Sequence, residues 1–120
     1  MAIIDTHAHI DQIKDWPRAL ERAIQAQVSD IIAVSVDLDS MRQVLNLSSL
    51  AEGINIHPAL GIHPGMVQQG LPQGAFDFIR AHITKAIAVG ETGLDYWYNG
   101  SGIIKQSAPN RKIRLPNIWQ

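Results

Sequence analysis

Ile3-Ile4-Asp5-Thr6-His7-Ala8-His9, almost at the amino terminus, decides how the chain is read. Side chains alternate between the two faces of a strand, so this spacing predicts Asp5, His7 and His9 on one side and Thr6 and Ala8 on the other. Ile3 and Ile4 read as the buried stem of that strand. Polar residues gathered at the carboxyl end of an apolar strand are where α/β enzymes place their chemistry. Two imidazoles and a carboxylate in one place point to a divalent metal; the alternative for a His-x-His pair is a hydrogen-bonded core or rim element.

Outward from that run, apolar and β-branched stretches at residues 2–5, 31–36, 56–62 and 86–89 predict four buried strands. Helical periodicity lies between them. The first helix begins near Asp15, in N-cap position, with Pro17 in its first turn and Leu20, Ala23, Ile24 and Val28 three and four apart. The second runs from about Asp39, turns Met41, Val44, Leu45, Leu47 or Ser48, and Ala51 inward, and stops at Gly53. The third covers residues 74–83 and buries Phe76, Ile79 and Ile83.

Strand and helix in alternation are the pattern of a parallel α/β sheet. The strand starts at Ile3, Ile31, Ile56 and Ala86 recur every 25–30 residues. Eight such units come to about 225 residues, near the roughly 250 of a (β/α)8 barrel. The expected fold class is therefore α/β, with about four βα units forming the N-terminal half of a TIM-type barrel; a small complete doubly wound sheet is the alternative. The repeat stops after Tyr98. Asn99-Gly100-Ser101-Gly102 reads as a turn or linker, and the stretch beyond it, broken by Pro109 and Pro116, has neither period. The domain reading is thus a partial barrel over residues 1–98 and an irregular tail over 99–120.

The 120 residues suffice for one modest domain, and 46% hydrophobic with 18% charged residues describes a globular protein. No apolar run reaches the length of about 18 residues that spans a membrane, and the start lacks the pattern of a secretory signal, so a cytoplasmic protein is expected. With no cysteine, any metal must be held by His, Asp or Glu, which suits hydrolytic zinc, manganese or magnesium. The net charge of −1 conceals a basic end: Lys105, Arg111, Lys112 and Arg114 follow residue 98 with no acid among them. Such a tail is either a solvated end or a nucleic-acid contact.

Two further clusters close predicted strands. Gly61-Ile62-His63-Pro64 ends the third, and Gly90-Glu91-Thr92-Gly93-Leu94-Asp95-Tyr96 ends the fourth. In a barrel, His7, His9, His63 and Glu91 would surround one mouth. These segments, with Asp5-Thr6-His7-Ala8-His9-Ile10, resemble the first three signatures of the TatD family of metal-dependent hydrolases, in order and spacing, over residues 1–98. The resemblance implies a barrel with a two-metal site that acts on phosphodiesters of DNA. It implies His7 and His9 as ligands of one metal, Glu91 as a bridge between both, His63 beside the substrate phosphate, and Asp5 orienting a ligand. A bridging carboxylate holds two cations about 3.5–4 Å apart, where they activate water and stabilise the leaving oxygen.

The chain also departs from the family. The remaining family ligands, two histidines and an aspartate, come from later strands, whereas no histidine follows His82 here. The second metal site is accordingly expected to be incomplete, and the chain to have weak or no nuclease activity. Two other functions stand beside the TatD-type hydrolase: an inactive half-barrel, and a phosphoesterase of the PHP or another amidohydrolase-like type, which can also begin Asp-x-His-x-His. Four strands that need four more expose an edge and an inner face, so self-association is expected. Elsewhere, His57 could face inward, His82 suits a helix end, Asp37 or Asp39 caps the second helix, and Asp95 lies in a turn. Trp16, Tyr96 and Trp97 read as packing or rim residues.

Overall fold

The computed structural model describes residues 2–67 and 72–93. Strands β1 (Ile3–Ala8), β2 (Val28–Val34), β3 (Asn55–Leu60) and β4 (Ala88–Val89) form one sheet in the order β1-β2-β3-β4, every pair parallel. Helices α1 (Trp16–Gln25), α2 (Leu38–Leu50) and α3 (Ala75–His82) connect them. Strand order that follows chain order, with a helix in each crossover, is the arrangement of one half of a (β/α)8 barrel, as the repeat predicts.

The boundaries move for local reasons. Pro17 opens α1 as expected, but Asp15 makes no capping bond from its side chain, and the helix ends before Val28. Gln27 adopts a left-handed backbone (φ 66°) that turns the chain, so Val28 begins β2 instead of completing the apolar stripe of α1. α2 is capped by Asp37, whose Oδ1 accepts the Ser40 N–H at 2.8 Å. β2 stops at Val34 because the Val36 N–H is taken by the Ser40 hydroxyl at 3.2 Å. In α3 the stripe is set by Ala75, Phe78 and Ile79, while Ile83 lies past the helix end and is exposed.

The main hydrophobic cluster lies on one face of the sheet. Ile31 and Ala33 of β2 and Ile56 and Leu60 of β3 pack against Leu20, Met41, Val44, Leu47 and Ala75 from the helices. Met41, Val44 and Leu60 are fully buried, each worth about 1.5–3 kcal/mol of transfer free energy. The sheet margins are open: Ile4 and Ile87 are each 58% exposed, and Ile3 and Val89 are exposed as well. Ile3 and Ile4 therefore form no buried stem, because β1 is an edge strand with nothing described beyond it.

At the amino ends of β2 and β3 a polar cluster holds the strands together. Asp30 receives hydrogen bonds from His57 Nε2 (2.8 Å), the Ser29 hydroxyl (2.7 Å) and the Asn55 amide (3.0 Å). These bonds, that of His57 foremost, hold the Asp30 carboxyl down at about 2. A carboxyl acidified by folding stabilises the native state above its unfolded value near 3.8 and ceases to do so as the pH falls through about 2. Urea denaturation of Asp30→Asn across pH 2–7 is expected to show a variant less stable than the parent at neutral pH, with the gap closing toward pH 2. A gap independent of pH would show that the carboxylate charge contributes nothing.

Candidate metal centre

β1 delivers two histidines but not the aspartate. Asp5 pairs with Ile31 and Ala8 with Ala33, so three steps along β1 match two along β2, and strict alternation breaks between them. Asp5 consequently does not join His7 and His9 as the simple strand pattern predicts. Its Oδ1 instead accepts the backbone N–H of His7 at 3.1 Å and fixes the bend that carries that residue.

His9 Nδ1 lies 2.9 Å from the Val34 carbonyl oxygen. A carbonyl only accepts, so Nδ1 carries the hydrogen and Nε2 keeps its lone pair. That Nε2 faces His7 Nε2 at 3.3 Å, the two rings meeting edge to face. His7 Nε2 is in turn 3.1 Å from Glu91 Oε1.

Glu91 begins three strands away, a distance of about 14 Å at roughly 4.8 Å per spacing in a flat sheet. Gly90 still donates its N–H to the Leu60 carbonyl of β3 at 3.0 Å, but the Glu91 N–H passes the end of β3 and donates to the Ser35 carbonyl, beside β2, at 3.3 Å. Gly61 permits this crossing, because a Cβ there would overlap the backbone of Gly90 and Glu91. The Glu91 carboxylate arrives two-sided. Oε1 meets His7, while Oε2 is buried, lacks a hydrogen-bond partner among the described residues, and lies 3.7 Å from His63 Nε2. His63 Nδ1 accepts the Gly65 N–H at 3.0 Å, so its own hydrogen sits on Nε2, facing Glu91.

His7, His9 and Glu91 thus each present one ligand atom, all within 4.8 Å of one another. Lone pairs outnumber hydrogens there, and one buried carboxylate oxygen has no hydrogen-bond partner among the described residues. A donor set of two imidazoles and a carboxylate fits a divalent cation.

The other polar residues go elsewhere. His57 is engaged with Asp30, and His82 stacks on Phe78 with Nδ1 2.9 Å from the Phe78 carbonyl oxygen. Trp16 packs against the core; Asp95, Tyr96, Trp97 and the basic tail lie outside the described residues. Two residues escape the sequence reading. Asp11 accepts the Ser40 hydroxyl at 2.7 Å and ties the turn after β1 to α2. Ser35, fully buried, accepts the Gly61 N–H at 2.9 Å, with the carbonyls of Ala59 and Gly61 at 3.0 and 3.2 Å from its hydroxyl. The only signal for Ser35 is its standing as the one polar residue in the run 31–36.

The family described as TatD related DNase matches residues 4–108. Among curated relatives, the chain is 27% identical to deoxyribonuclease TATDN3 of Homo sapiens, over 98% of this chain and 47% of that protein. It is 36% identical to the uncharacterized metal-dependent hydrolase YjjV of Escherichia coli K12, over 77% of this chain and 37% of that one. The crystal structure of YjjV superimposes with a TM-score of 0.63 at 28% identity, covering 81% of this chain and 39% of YjjV. A TatD family hydrolase from Entamoeba histolytica gives the same TM-score at 24% identity. The chain spans less than half the length of these relatives.

Gly61→Ala tests the crossing. Forcing a methyl group against the Gly90–Glu91 backbone is expected to cost about 1–3 kcal/mol, as overpacking does, and to weaken Mn2+ binding measured by calorimetric titration. A variant with unchanged Mn2+ affinity would show that Glu91 does not depend on the crossing.

Proposed function

This chain belongs to the TatD related DNase family, and from that premise we propose that His7, His9 and Glu91 hold a divalent metal at a site that hydrolyses phosphodiester bonds of DNA. The convergence of His7 Nε2, His9 Nε2 and Glu91 Oε1 carries this reading. The name of the human relative, a deoxyribonuclease, supports DNA as the substrate, and that of YjjV supports metal dependence. The PHP-type or other amidohydrolase-like phosphoesterase has no comparable observation in its favour, and the half-barrel without turnover is separated from this reading by the experiment below.

A bound divalent ion supplies Lewis acidity toward a phosphoryl oxygen and lowers the pKa of water. The residues of the chain prepare the place for it. Val34 fixes the His9 tautomer so that Nε2 is free to ligate, and Asp5 sets the backbone of His7. Glu91 Oε2, an acceptor without a partner among the described residues, is suited to take a proton from an attacking water or to serve a second ion. The His63 Nε2–H beside it is a donor for a non-bridging phosphate oxygen. No helix among the described residues is long and apolar enough to cross a membrane.

Incubation of the 120-residue chain with short single-stranded DNA and Mg2+, Mn2+ or Zn2+ in turn is expected to give slow cleavage that stops on chelation. His7→Ala and Glu91→Ala should each lower it by at least about a hundredfold, since losing even an outer-shell partner of a metal ligand costs roughly 10–100-fold. Cleavage that persists in both variants would overturn the assignment of the site. Absence of cleavage with every ion would leave this chain a half-barrel without turnover.

A further inference from the structure

We propose that Ser35 is the positioning residue of the metal centre, holding Glu91 within reach of His7 from beneath. The inference rests on the metal-site reading above and adds to it a residue that touches neither metal nor substrate. Three observations support it. Ser35 is fully buried although polar, and its hydroxyl accepts from the Gly61 N–H while its single hydrogen has the Ala59 and Gly61 carbonyls within reach. The regular β2–β3 ladder ends at the Val34–Ala59 pair; beyond it the Ser35 N–H still donates to the Ala59 carbonyl at 3.0 Å, but the Gly61 N–H goes to the hydroxyl of Ser35 and leaves the carbonyl of Ser35 free of β3. Its carbonyl then receives the Glu91 N–H, the bond that draws the end of β4 over β3.

The two contacts act on one point. The hydroxyl pins Gly61, the residue whose missing side chain makes room for the crossing, and the carbonyl pins the crossing chain itself. Ser40 is the natural control. It is a buried serine in the first turn of α2, and its hydroxyl serves Val36 and Asp11 without touching Gly61 or Glu91.

The experiment compares wild type, Ser35→Ala, Ser35→Thr and Ser40→Ala by calorimetric titration with Mn2+ alone and by amide hydrogen exchange at Gly61 and Glu91. Ser35→Ala is expected to lose about tenfold in Mn2+ affinity, in the range of other outer-shell losses, and to lose protection at both amides. Ser35→Thr, which keeps the hydroxyl, should restore most of the affinity. Ser40→Ala should destabilise the fold while leaving Mn2+ affinity within about twofold and the two amides protected, because its bonds lie elsewhere. If Ser35→Ala does not fold, Ser35→Cys, of similar shape but a much weaker donor and acceptor, carries the same comparison. A folded Ser35 variant that loses amide protection yet binds Mn2+ as tightly as wild type would overturn the proposal. A wild-type chain that takes up no Mn2+ would instead overturn the metal-site reading beneath it, a separate result because no variant is needed to see it.

Discussion

One hydrogen bond, from the Glu91 N–H to the Ser35 carbonyl, does more than any other to determine what this structure can do. Strand order places Glu91 on the far side of the sheet from His7, and curvature alone must be supplemented by a local crossing to bring carboxylate and imidazole within 3.1 Å. The neighbouring features serve that crossing. Gly61 leaves space beneath it, β4 ends after two paired residues, and the His63 N–H is fastened to the Val36 carbonyl at 2.8 Å on the same side. The histidines need less arrangement, since one strand and one bulge deliver both.

The fold meets this demand with its main hydrophobic cluster on one side. Helices seal the outer face of the sheet with Met41, Val44 and Leu47, whereas the margins keep Ile3, Ile4, Ile87 and Val89 in contact with solvent. Edges left unpaired among the described residues present free backbone N–H and C=O groups along with apolar side chains. At the opposite end of the strands from the metal ligands, Asp30 and His57 add a hydrogen-bonded pair, so polarity is concentrated at both ends.

Much of this was legible in the sequence because periodicity and motif spacing report on whole elements. The four apolar runs and their 25–30-residue recurrence predict the parallel half-barrel, and Gly61-Ile62-His63 and Gly90-Glu91 predict which strand ends matter. What escaped depends on single backbone steps. No alternation rule anticipates that Asp5 is turned from the histidines by a bulge, or that Gln27 starts β2 early through a left-handed residue. The burial of Ile3 and Ile4 follows from hydrophobicity only if a neighbour covers them, and none of the described residues does. Ser35 is invisible for a different reason: a lone serine in an apolar run signals a buried hydroxyl, but not the partners that give it purpose.

Strand order that follows chain order also has a consequence for how the centre comes together. Each βα unit can add to the edge of the one before it, so local closures come first. The metal ligands break that sequence, because His7 lies on the first strand and Glu91 follows the last one described. Joining them closes a loop that runs through nearly the whole described chain, and a clip across a long loop removes the most freedom from the unfolded state. An ion that binds only the native arrangement would therefore act as a clasp on the entire sheet, its affinity coupled to global folding by mass action.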